Sequence, residues 1–565
     1  MNLMFLAALI GGLIWLICHG FSKSKQIEIF LFSQLIVICL GWIGFNNFHL
    51  ITFLRLFLLL FVIQLIRKIS WCKQKVFSLM SVLTLSSIVG FLLLDQTKKL
   101  FYLLALGYDN SSHVAFLYRT WISGKFEYGI GGHENYLVPY SNLYNAYPSL
   151  QMETWATIIK LSGFNIGTTS DLIGSFSLLL LSTIAILALA ILSFSDTKRR
   201  KILYLQWVAT IIFLIGSTFS AVIWSGFPPT IWGILVGTLV FRHFLLEVSS
   251  ASYRILILTL GLVVLLYSYQ IFFFPYLVLL PLVIYGKRQE LKFKQFYRGL
   301  FALAFLMSLG TVFMLKTLEI KNYTFAVGGI PFPTPVLFFG LIALLIAFSF
   351  GTEARKKNRN AEYLLLSSVL VFGGALTVYG RTSGLGSYYP VKVLYLFLTL
   401  MMCYIIYLTS QKSKWGSVNL KSSLLPFTLL IFVLSFDLVQ GRFTSAWGGN
   451  TGSIIREWKQ VQDGDYAPFG KGCLNQVFLA ANSSTHFGYK ENVYLSYVPG
   501  TGWQTDLLSR WSNSLEGRID DLVLELTIPL GSSQKHTIVV ENFRAKNPDV
   551  EVLPINISKS NACSY

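Results

Sequence analysis

Charged residues are scarce in this sequence. Asp, Glu, Lys and Arg make up 13% of its 565 residues, which is about half of their share in soluble globular domains. So few charges cannot cover the surface of a water-soluble protein of this length, and hydrophobic residues make up 54% of the chain. The composition therefore excludes a soluble enzyme and predicts a protein that lies largely within a lipid bilayer.

Cysteine is rare as well, with six residues in the chain. Cys473 and Cys563 lie in the polar C-terminal part, where an oxidising compartment would allow them to form a disulfide. Their spacing does not decide whether they are bonded. The other four lie in apolar segments or in a basic connector: Cys18, Cys39, Cys72 and Cys403.

The sequence also lacks the short motifs of several enzyme classes. No Cys-x-x-Cys, His-Glu-x-x-His, Walker A or Gly-x-Gly-x-x-Gly pattern stands in the context that such a site needs. Zinc, flavin and nucleotide chemistry therefore have no support from motifs, and the sequence specifies no cofactor.

Positive charge outweighs negative charge, with 45 Lys and Arg against 26 Asp and Glu and a net charge of +19. The basic residues gather in short connectors between apolar segments, as expected for loops on the cytoplasmic side of a membrane. Such clusters suit anionic lipid headgroups, so no nucleic-acid partner is predicted. The basic connectors are 22–25, 67–75, 196–201, 286–294, 353–359 and 410–414.

Apolar runs recur along the chain, and most are long enough to cross a hydrocarbon core of about 30 Å as a helix. They predict an α-helical polytopic membrane protein with about 12 to 14 membrane-spanning helices. The count is least defined at 255–285, where a break at "FFFP" (272–275) predicts a short or re-entrant hairpin. The predicted spans are 3–19, 28–46, 50–66, 76–94, 172–194, 202–222, 230–247, 255–271, 272–285, 299–315, 335–350, 361–380, 391–409 and 423–440.

Three polar side chains lie inside these spans or near their ends, namely Arg55, Arg242 and His243. Polar residues at membrane depth are often functional. The favoured interpretation here is the simpler one, in which the long side chains extend to the membrane surface.

Four segments divide the chain: N-terminal spans (1–94), an extracytoplasmic loop (95–171), a helical bundle (172–440) and a soluble extracytoplasmic domain (441–565). The last segment loses the apolar runs. Its end alternates apolar and polar residues in "DDLVLELTIP", "KHTIVVENF" and "DVEVLPINIS", with turn-forming residues between them. This pattern predicts a β-rich domain with antiparallel strands.

The first extracytoplasmic loop contains the stretch "GYDNSSHVAFLYRT" at 107–120. If a helix begins here, Asp109 is its N-cap and His113 stands one turn later on the same face. A helix cap beside a surface histidine is the simplest interpretation of this spacing. Farther along, "NLYNAYPSLQMETW" (142–155) carries amide and aromatic groups that suit either sugar binding or an interfacial aromatic belt.

This arrangement resembles the GT-C superfamily of polytopic membrane glycosyltransferases, which use polyprenyl-phosphate sugars. The features that carry the resemblance are the acidic residue in the first long outer loop, the bundle and the soluble C-terminal domain. Asp-Asn-x-x-His at 109–113, followed by Tyr147 and Pro148, is similar to bacterial members. Two features depart from the pattern: three spans precede the one before the loop, and Gln151 replaces a histidine.

The resemblance implies a hexosyl- or pentosyltransferase of the bacterial plasma membrane, acting on a glycan or glycolipid acceptor during cell wall biogenesis. An acceptor hydroxyl must lose its proton, and Asp109 is the predicted general base, with Glu134 as the reserve carboxylate. His113 would orient that base, or contact the donor phosphate when protonated. The predicted substrate contacts are Arg119, Tyr147 and Gln151.

The leaving lipid phosphate requires cations and hydrogen-bond donors. Arg381 and Lys392 flank the outer loop "TSGLGSYYPV", which contains Tyr388 and Tyr389, and the four are the predicted phosphate contacts. The alternative is that Arg381 marks the interface and Lys392 extends to it. A lone aspartate is a poor Mg²⁺ or Mn²⁺ site unless the phosphate completes it, so a divalent metal is compatible with the sequence but not specified by it.

Other functions share much of this architecture. A lipid-linked glycan polymerase or ligase would use the same outer site but transfer a whole oligosaccharide. A transporter or flippase would place its site near the bilayer midplane, often between repeated halves, and no internal repeat is present. A scaffold or receptor whose β-rich tail binds glycan is a third alternative.

Overall fold

The computed structural model describes most of the helical part of the chain. Between 96 and 150 it describes His113, Leu117, Thr120, Trp121 and Gly124 only. The predicted spans 335–350 and 423–440 and nearly all of 441–565 lie outside the described residues. The described ranges are 2–44, 47–96, 150–166, 169–195, 200–216, 228–246, 250–286, 293–319, 360–382, 388–412, 493–496 and 524–527.

These residues form α-helices and one pair of short strands. The helices are α1 (Asn2–Gly20), α2 (Lys23–Ile43), α3 (Phe48–Lys68), α4 (Lys73–Gln96), α5 (Leu150–Ser162), α6 (Thr169–Leu192), α7 (Arg200–Gly216), α8 (Pro228–Leu245), α9 (Ala251–Ser268), α10 (Gln270–Tyr276), α11 (Leu279–Gly286), α12 (Phe293–Glu319), α13 (Asn360–Thr382) and α14 (Tyr388–Lys412). The strands are β1 (Val493–Ser496) and β2 (Leu524–Thr527).

Five helices of the described part are long and apolar enough to cross a membrane. Large apolar side chains also cover the outside of the bundle, and Phe77 of α4 and Phe301 of α12 are 76% and 75% exposed. A surface of this kind suits lipid tails rather than water. The helical class and the membrane-length helices are thus as predicted. The five segments are Leu3–Gly20, Lys23–Gly41, Phe48–Lys68, Lys73–Leu93 and Gly174–Leu192.

Helix α8 lies at the centre of the bundle. It is buried from Pro228 to Phe244, and α2, α5, α6, α9, α10 and α14 pack around it. Two glycines permit close approach on one of its faces: a Cβ on Gly233 would lie 2.4 Å from Tyr269 Cβ, and one on Gly237 would lie 2.8 Å from the Tyr276 hydroxyl oxygen. The contacts around α8 therefore decide where the side chains of α9, α10 and α14 meet.

The chain between 251 and 286 is interrupted, but not at the predicted position. The Phe-Phe-Phe-Pro residues 272–275 belong to α10, whereas Tyr269 separates α9 from α10 with an extended backbone (φ −162°, ψ 95°). The predicted break at 272–275 was therefore wrong by a few residues. Sequence periodicity does not show the close contact of Tyr269 with Gly233, and Pro275 stands next to the last residue of its short helix. Helix α11 packs beside α9, so the chain folds back on itself.

Several helix ends meet on one side of the bundle, which we call the basic end. Lys23 at the start of α2 donates to the carbonyls of Ser193 and Ser195, at 3.1 Å and 2.7 Å, just beyond the end of α6. Arg254 at the start of α9 donates to the carbonyl of Phe244 at the end of α8. The helix ends next to the basic connectors 22–25 and 196–201 therefore lie together.

The described strands pair differently from the predicted tail. β2 lies within "DDLVLELTIP", and its partner β1 runs parallel to it, with Val493 opposite Leu524. A hairpin turn joins antiparallel neighbours, whereas parallel strands need a longer connection. The segments 535–543 and 549–558, which we expected to form antiparallel strands, lie outside the described residues.

Candidate functional site

His113 lies inside the protein. It is helical and 3% exposed, and its spacing to Leu117 and Thr120 places all three buried side chains on one face of a helix. Gly124 has a left-handed backbone with φ 60°, and its N–H donates to the carbonyl of Thr120 at 3.0 Å. This is how helices commonly end. The predicted helix after Asp109 is therefore observed at the positions described, but His113 is a core residue and not a surface one.

Lys392 lies one turn inside α14. Pro390 stands in the first turn of this helix, where a missing N–H does no harm because the first N–H groups have no helical partner. Lys392 is 3% exposed, so it does not extend to the membrane surface as the alternative interpretation supposed. A helix start carries partial positive charge. The ammonium group and the helix start thus create a positive potential in the same place.

Tyr269 provides a surface for the Lys392 side chain. The Lys392 Nζ lies 5.4 Å from the centroid of the Tyr269 ring, within the range of a cation–π contact. Tyr269 also interacts electrostatically with Tyr389, and Lys392 with His113. Gly233 of α8 packs against the Cβ of Tyr269. We call His113, Tyr269, Tyr389 and Lys392 the Lys392 cluster.

The imidazole of His113 is neutral in this environment. Burial, together with the positive charge of Lys392, lowers the pKa of His113 to about 3. At neutral pH the ring therefore offers one donor and one acceptor and no charge. Of the two predicted roles, orienting a carboxylate agrees with this state, whereas a protonated imidazole on a phosphate requires the anion to be present first.

The buried state of His113 predicts a loss of stability in acid. The pKa of His113 in the folded chain, about 3, lies below the usual 6.5. Between these two pH values the unfolded chain therefore binds a proton at His113, whereas the folded chain does not. Stability is complete above pH 6.5 and falls toward pH 3, by at most about 1.4 kcal/mol per pH unit from this group. The unfolding temperature, followed by tryptophan fluorescence, should drop less for His113→Gln than for the wild type between pH 6.5 and 4.5.

The exposed His49 is the matched control for this measurement. His49→Gln removes a histidine from the surface of α3 and should leave the pH profile of the wild type unchanged. If His113→Gln and His49→Gln show the same profile, His113 is not held neutral by the fold.

Helix α5 presents polar groups to the interior. Gln151 and Glu153 are each 0% exposed, and Thr154 donates to Gln34 of α2 at 3.0 Å. Neither amide atom of Gln151 has a hydrogen-bond partner among the described residues. Buried amides nearly always have one, so Gln151 has unused capacity to bind a polar group.

Arg55 holds the far end of α5 in place. Its guanidinium donates to the carbonyls of Lys160 (2.8 Å) and Leu161 (3.1 Å). Gly163, with φ 73°, donates to Lys160 as well, which closes the last turn. The guanidinium is exposed, and these main-chain oxygens at a helix end attract it. Its extension to the membrane surface stays a prediction.

Arg55→Met should loosen α5 without touching the Lys392 cluster. The variant loses two charge-assisted hydrogen bonds, and we expect the free energy of unfolding to fall by about 1–3 kcal/mol. Hydrogen exchange at 160–166 should become faster. Arg55→Lys retains the positive charge without the forked geometry, so its exchange should lie between those of Arg55→Met and the wild type. Unchanged exchange in Arg55→Met would contradict the role of Arg55 as a cap.

Lys160 links α5 to the helix that contains His113. Its Nζ lies 4.8 Å from the centroid of the Trp121 ring, and burial lowers its pKa. The loop segment with His113 and the helix with Gln151 are thus fastened to each other. This contact places the end of one predicted site segment beside the end of the next.

The described part of the chain supports anion binding better than metal binding. Within it, no group of three His, Cys, Asp or Glu side chains could hold a metal ion. A buried ammonium beside a helix start, a neutral imidazole and tyrosines can bind a phosphate oxygen and donate hydrogen bonds to it.

The structure brings together only some of the predicted site residues. His113, Lys392 and Tyr389 belong to one cluster, and Gln151 is buried in α5. Arg381 and Tyr388 lie at the end of α13 and the start of α14, and their side chains are outside the description. The remaining predicted residues lie outside the described residues altogether: Asp109, Arg119, Glu134 and Tyr147.

Sequence reasoning missed Tyr269 and Glu153. One signal was available for Tyr269, because "SYQ" (268–270) interrupts the apolar run between 255 and 285 with polar groups. No local pattern marks Gly233 as the residue that positions Tyr269, since the two are brought together only by the packing of α8 against α9 and α10.

Arg242 and His243 are buried as well, at 2% and 0% exposure. The Arg242 guanidinium carbon lies 5.4 Å from the centroid of the Phe194 ring. The predicted extension of both side chains to the membrane surface was wrong, because they point into the packed interior around α8.

No protein-family model, curated protein or solved structure matches this chain.

Proposed function

We propose that this protein is an integral membrane glycosyltransferase of the GT-C type. It would move a sugar from a polyprenyl-phosphate donor to an extracytoplasmic acceptor of the cell envelope. The observation that carries the proposal is the buried Lys392 ammonium, whose charge acts on the buried, neutral imidazole of His113, four residues from Asp109 in the chain. A lipid-borne phosphate and a carboxylate base are the two groups that this transfer needs side by side.

The Lys392 cluster would hold the donor phosphate. Lysine binds phosphate as a point charge, and at low dielectric that attraction is stronger than in water. The Tyr269 ring would keep the ammonium in place through the cation–π contact. Tyr389, in the first turn of α14, would donate a hydrogen bond from its phenol. Arg381 at the end of α13 and Tyr388 at the start of α14 would be further phosphate contacts.

Asp109 would act as the general base. The acceptor hydroxyl attacks the anomeric carbon, its proton passes to the Asp109 carboxylate, and the bond from that carbon to the phosphate oxygen breaks. The lipid phosphate leaves with the electron pair, stabilised by Lys392. The neutral His113, one turn away along the helix, would orient the carboxylate by a hydrogen bond. Glu134 is the reserve base.

The sugar would be bound by polar groups on α5 and in the loop before it. The Gln151 amide has unused donors and acceptors, and these match sugar hydroxyls. Tyr147 and Arg119 are the further proposed contacts. The unsatisfied amide supports this assignment because a bound polyol would satisfy it without further rearrangement.

The finer topology is part of the same proposal. We infer about 12 to 14 spans, with the basic connectors in the cytoplasm and the loop at 95–171 and the domain at 441–565 outside. The plasma membrane of a bacterium is the proposed location. Meeting of the helix ends at the basic end supports this arrangement.

The test uses the purified full chain in nanodiscs, with radiolabelled polyprenyl-phosphate sugars and an envelope extract as acceptor. We expect transfer of one sugar per acceptor, with release of polyprenyl phosphate and no need for a nucleotide. A ladder of long products would instead indicate a polymerase. Movement of labelled lipid between leaflets of liposomes, without transfer, would indicate a flippase and reject the proposal.

A further inference from the structure

The basic end of the bundle carries a dense group of charges that the proposed reaction does not use. The connectors 22–25 and 196–201 contain six basic residues and one acidic residue, and the Lys23 contacts hold their helix ends together. Arg254 adds a further charge from α9. This end is therefore strongly positive, as a surface that faces anionic headgroups would be.

His243 lies within this group as a neutral hydrogen-bonding side chain. It is 0% exposed, and neither ring nitrogen has a hydrogen-bond partner among the described residues. The charges of Glu28 on α2 and Arg254 on α9 both act on the ring, and α8 packs against both of these helices. Buried polar groups without partners are rare, and an unoccupied ligand site is one of their causes.

Arg254 contacts an aromatic ring, and the nearby Glu28 carboxylate accepts hydrogen bonds from two side chains. The Arg254 guanidinium carbon lies 5.0 Å from the centroid of the Phe244 ring, and Tyr253 donates a hydrogen bond to Glu28. Glu28 also accepts from Ser24 at 2.9 Å. The side chains of Glu28, Tyr253 and Arg254 are only half buried, so a ligand can contact these three groups from outside the bundle.

We propose that the basic end binds the headgroup of an anionic phospholipid, with Arg254 and His243 as its hydrogen-bond donors. A phosphodiester carries one negative charge and accepts hydrogen bonds from both a guanidinium and an imidazole N–H. The surrounding connectors supply long-range attraction to the same leaflet. A lipid fits better than a soluble anion because α2, which carries Glu28, is one of the membrane-length helices. This inference does not depend on the proposed glycosyl transfer.

Lipid-dependent stabilisation of the full chain tests the site. Nanodiscs of phosphatidylcholine are compared with nanodiscs containing increasing fractions of phosphatidylglycerol, and the unfolding temperature is measured by tryptophan fluorescence. Phosphatidylglycerol should raise it, since a ligand that binds the folded state stabilises that state. Arg254→Gln should require about tenfold more phosphatidylglycerol for the same rise, because it loses a charge-assisted hydrogen bond.

His243→Leu distinguishes a site from diffuse attraction, because it changes no charge. In phosphatidylcholine alone it should unfold at or above the wild-type temperature, since two unsatisfied nitrogens are removed. It should nevertheless lose most of the response to phosphatidylglycerol. Arg298→Gln removes an exposed charge of α12 and is the matched control, with a clearly smaller loss than Arg254→Gln.

Three results would overturn the inference. Equal losses in Arg254→Gln and Arg298→Gln would show diffuse attraction only. A lower unfolding temperature of His243→Leu with an unchanged lipid response would make His243 an ordinary core residue. Inorganic phosphate added to phosphatidylcholine nanodiscs should produce no rise, and a rise equal to that from phosphatidylglycerol would identify a site for a free anion.

Discussion

Asp109→Asn is expected to abolish sugar transfer, with a loss of about 100- to 10,000-fold in kcat, because an amide cannot accept the proton of the acceptor hydroxyl. Donor binding should change little, since the base acts on the acceptor. The measurement is the rate of product formation at saturating donor, together with donor binding in the absence of acceptor.

Glu134→Gln is the control for the base. It makes the same chemical change at the reserve carboxylate and should retain transfer. If Glu134→Gln abolishes transfer and Asp109→Asn does not, the base is Glu134. If neither variant loses activity, neither Asp109 nor Glu134 is the base.

Lys392→Met is expected to weaken binding of a polyprenyl-phosphate donor by about 10- to 100-fold, the range for loss of a hydrogen bond to a charged group. The substitution retains much of the side-chain length but removes the ammonium that lies over Tyr269. Acceptor binding should stay close to that of the wild type. Titration with a fluorescent donor in nanodiscs measures donor affinity, and titration with a labelled acceptor measures acceptor affinity.

Lys68→Met is the matched control. Lys68 also lies over an aromatic ring, with its Nζ 4.8 Å from the centroid of the Phe21 ring. This pair lies at the C-terminal ends of α1 and α3 and is not part of the Lys392 cluster. It should leave donor affinity unchanged. A comparison with Arg381→Gln then ranks the two proposed phosphate cations. If Lys392→Met weakens acceptor binding and leaves donor binding unchanged, Lys392 does not bind the phosphate.

The sequence predicted the helices well where apolar length alone decides them. Helix α3 was expected at 50–66 and is Phe48–Lys68, and α4 was expected at 76–94 and is Lys73–Gln96. In such segments the bilayer sets the length, and every main-chain group bonds within the helix. The same reasoning placed the break after α9 at 272–275, because it could not include the contact between Tyr269 and Gly233.

The site was less predictable because its residues come from distant parts of the chain. His113 and Lys392 are about 280 residues apart in the sequence, and only the packing of α8, α9 and α14 could bring them together. Sequence spacing favoured a surface position for His113 and long-side-chain extension for Arg242 and His243, all three of which are buried. In each case a tertiary partner or burial decided the outcome instead.

The contact between Trp121 and Lys160 has a consequence for variation in the loop. Because these side chains meet, the C-terminal ends of the helix that contains His113 and of α5 are held together. Exchange of 125–149 for an unrelated sequence of similar length retains both partners of this contact, since Trp121 and Lys160 lie on either side of the exchanged stretch. The stretch can therefore vary in sequence while the two helices stay joined at this point.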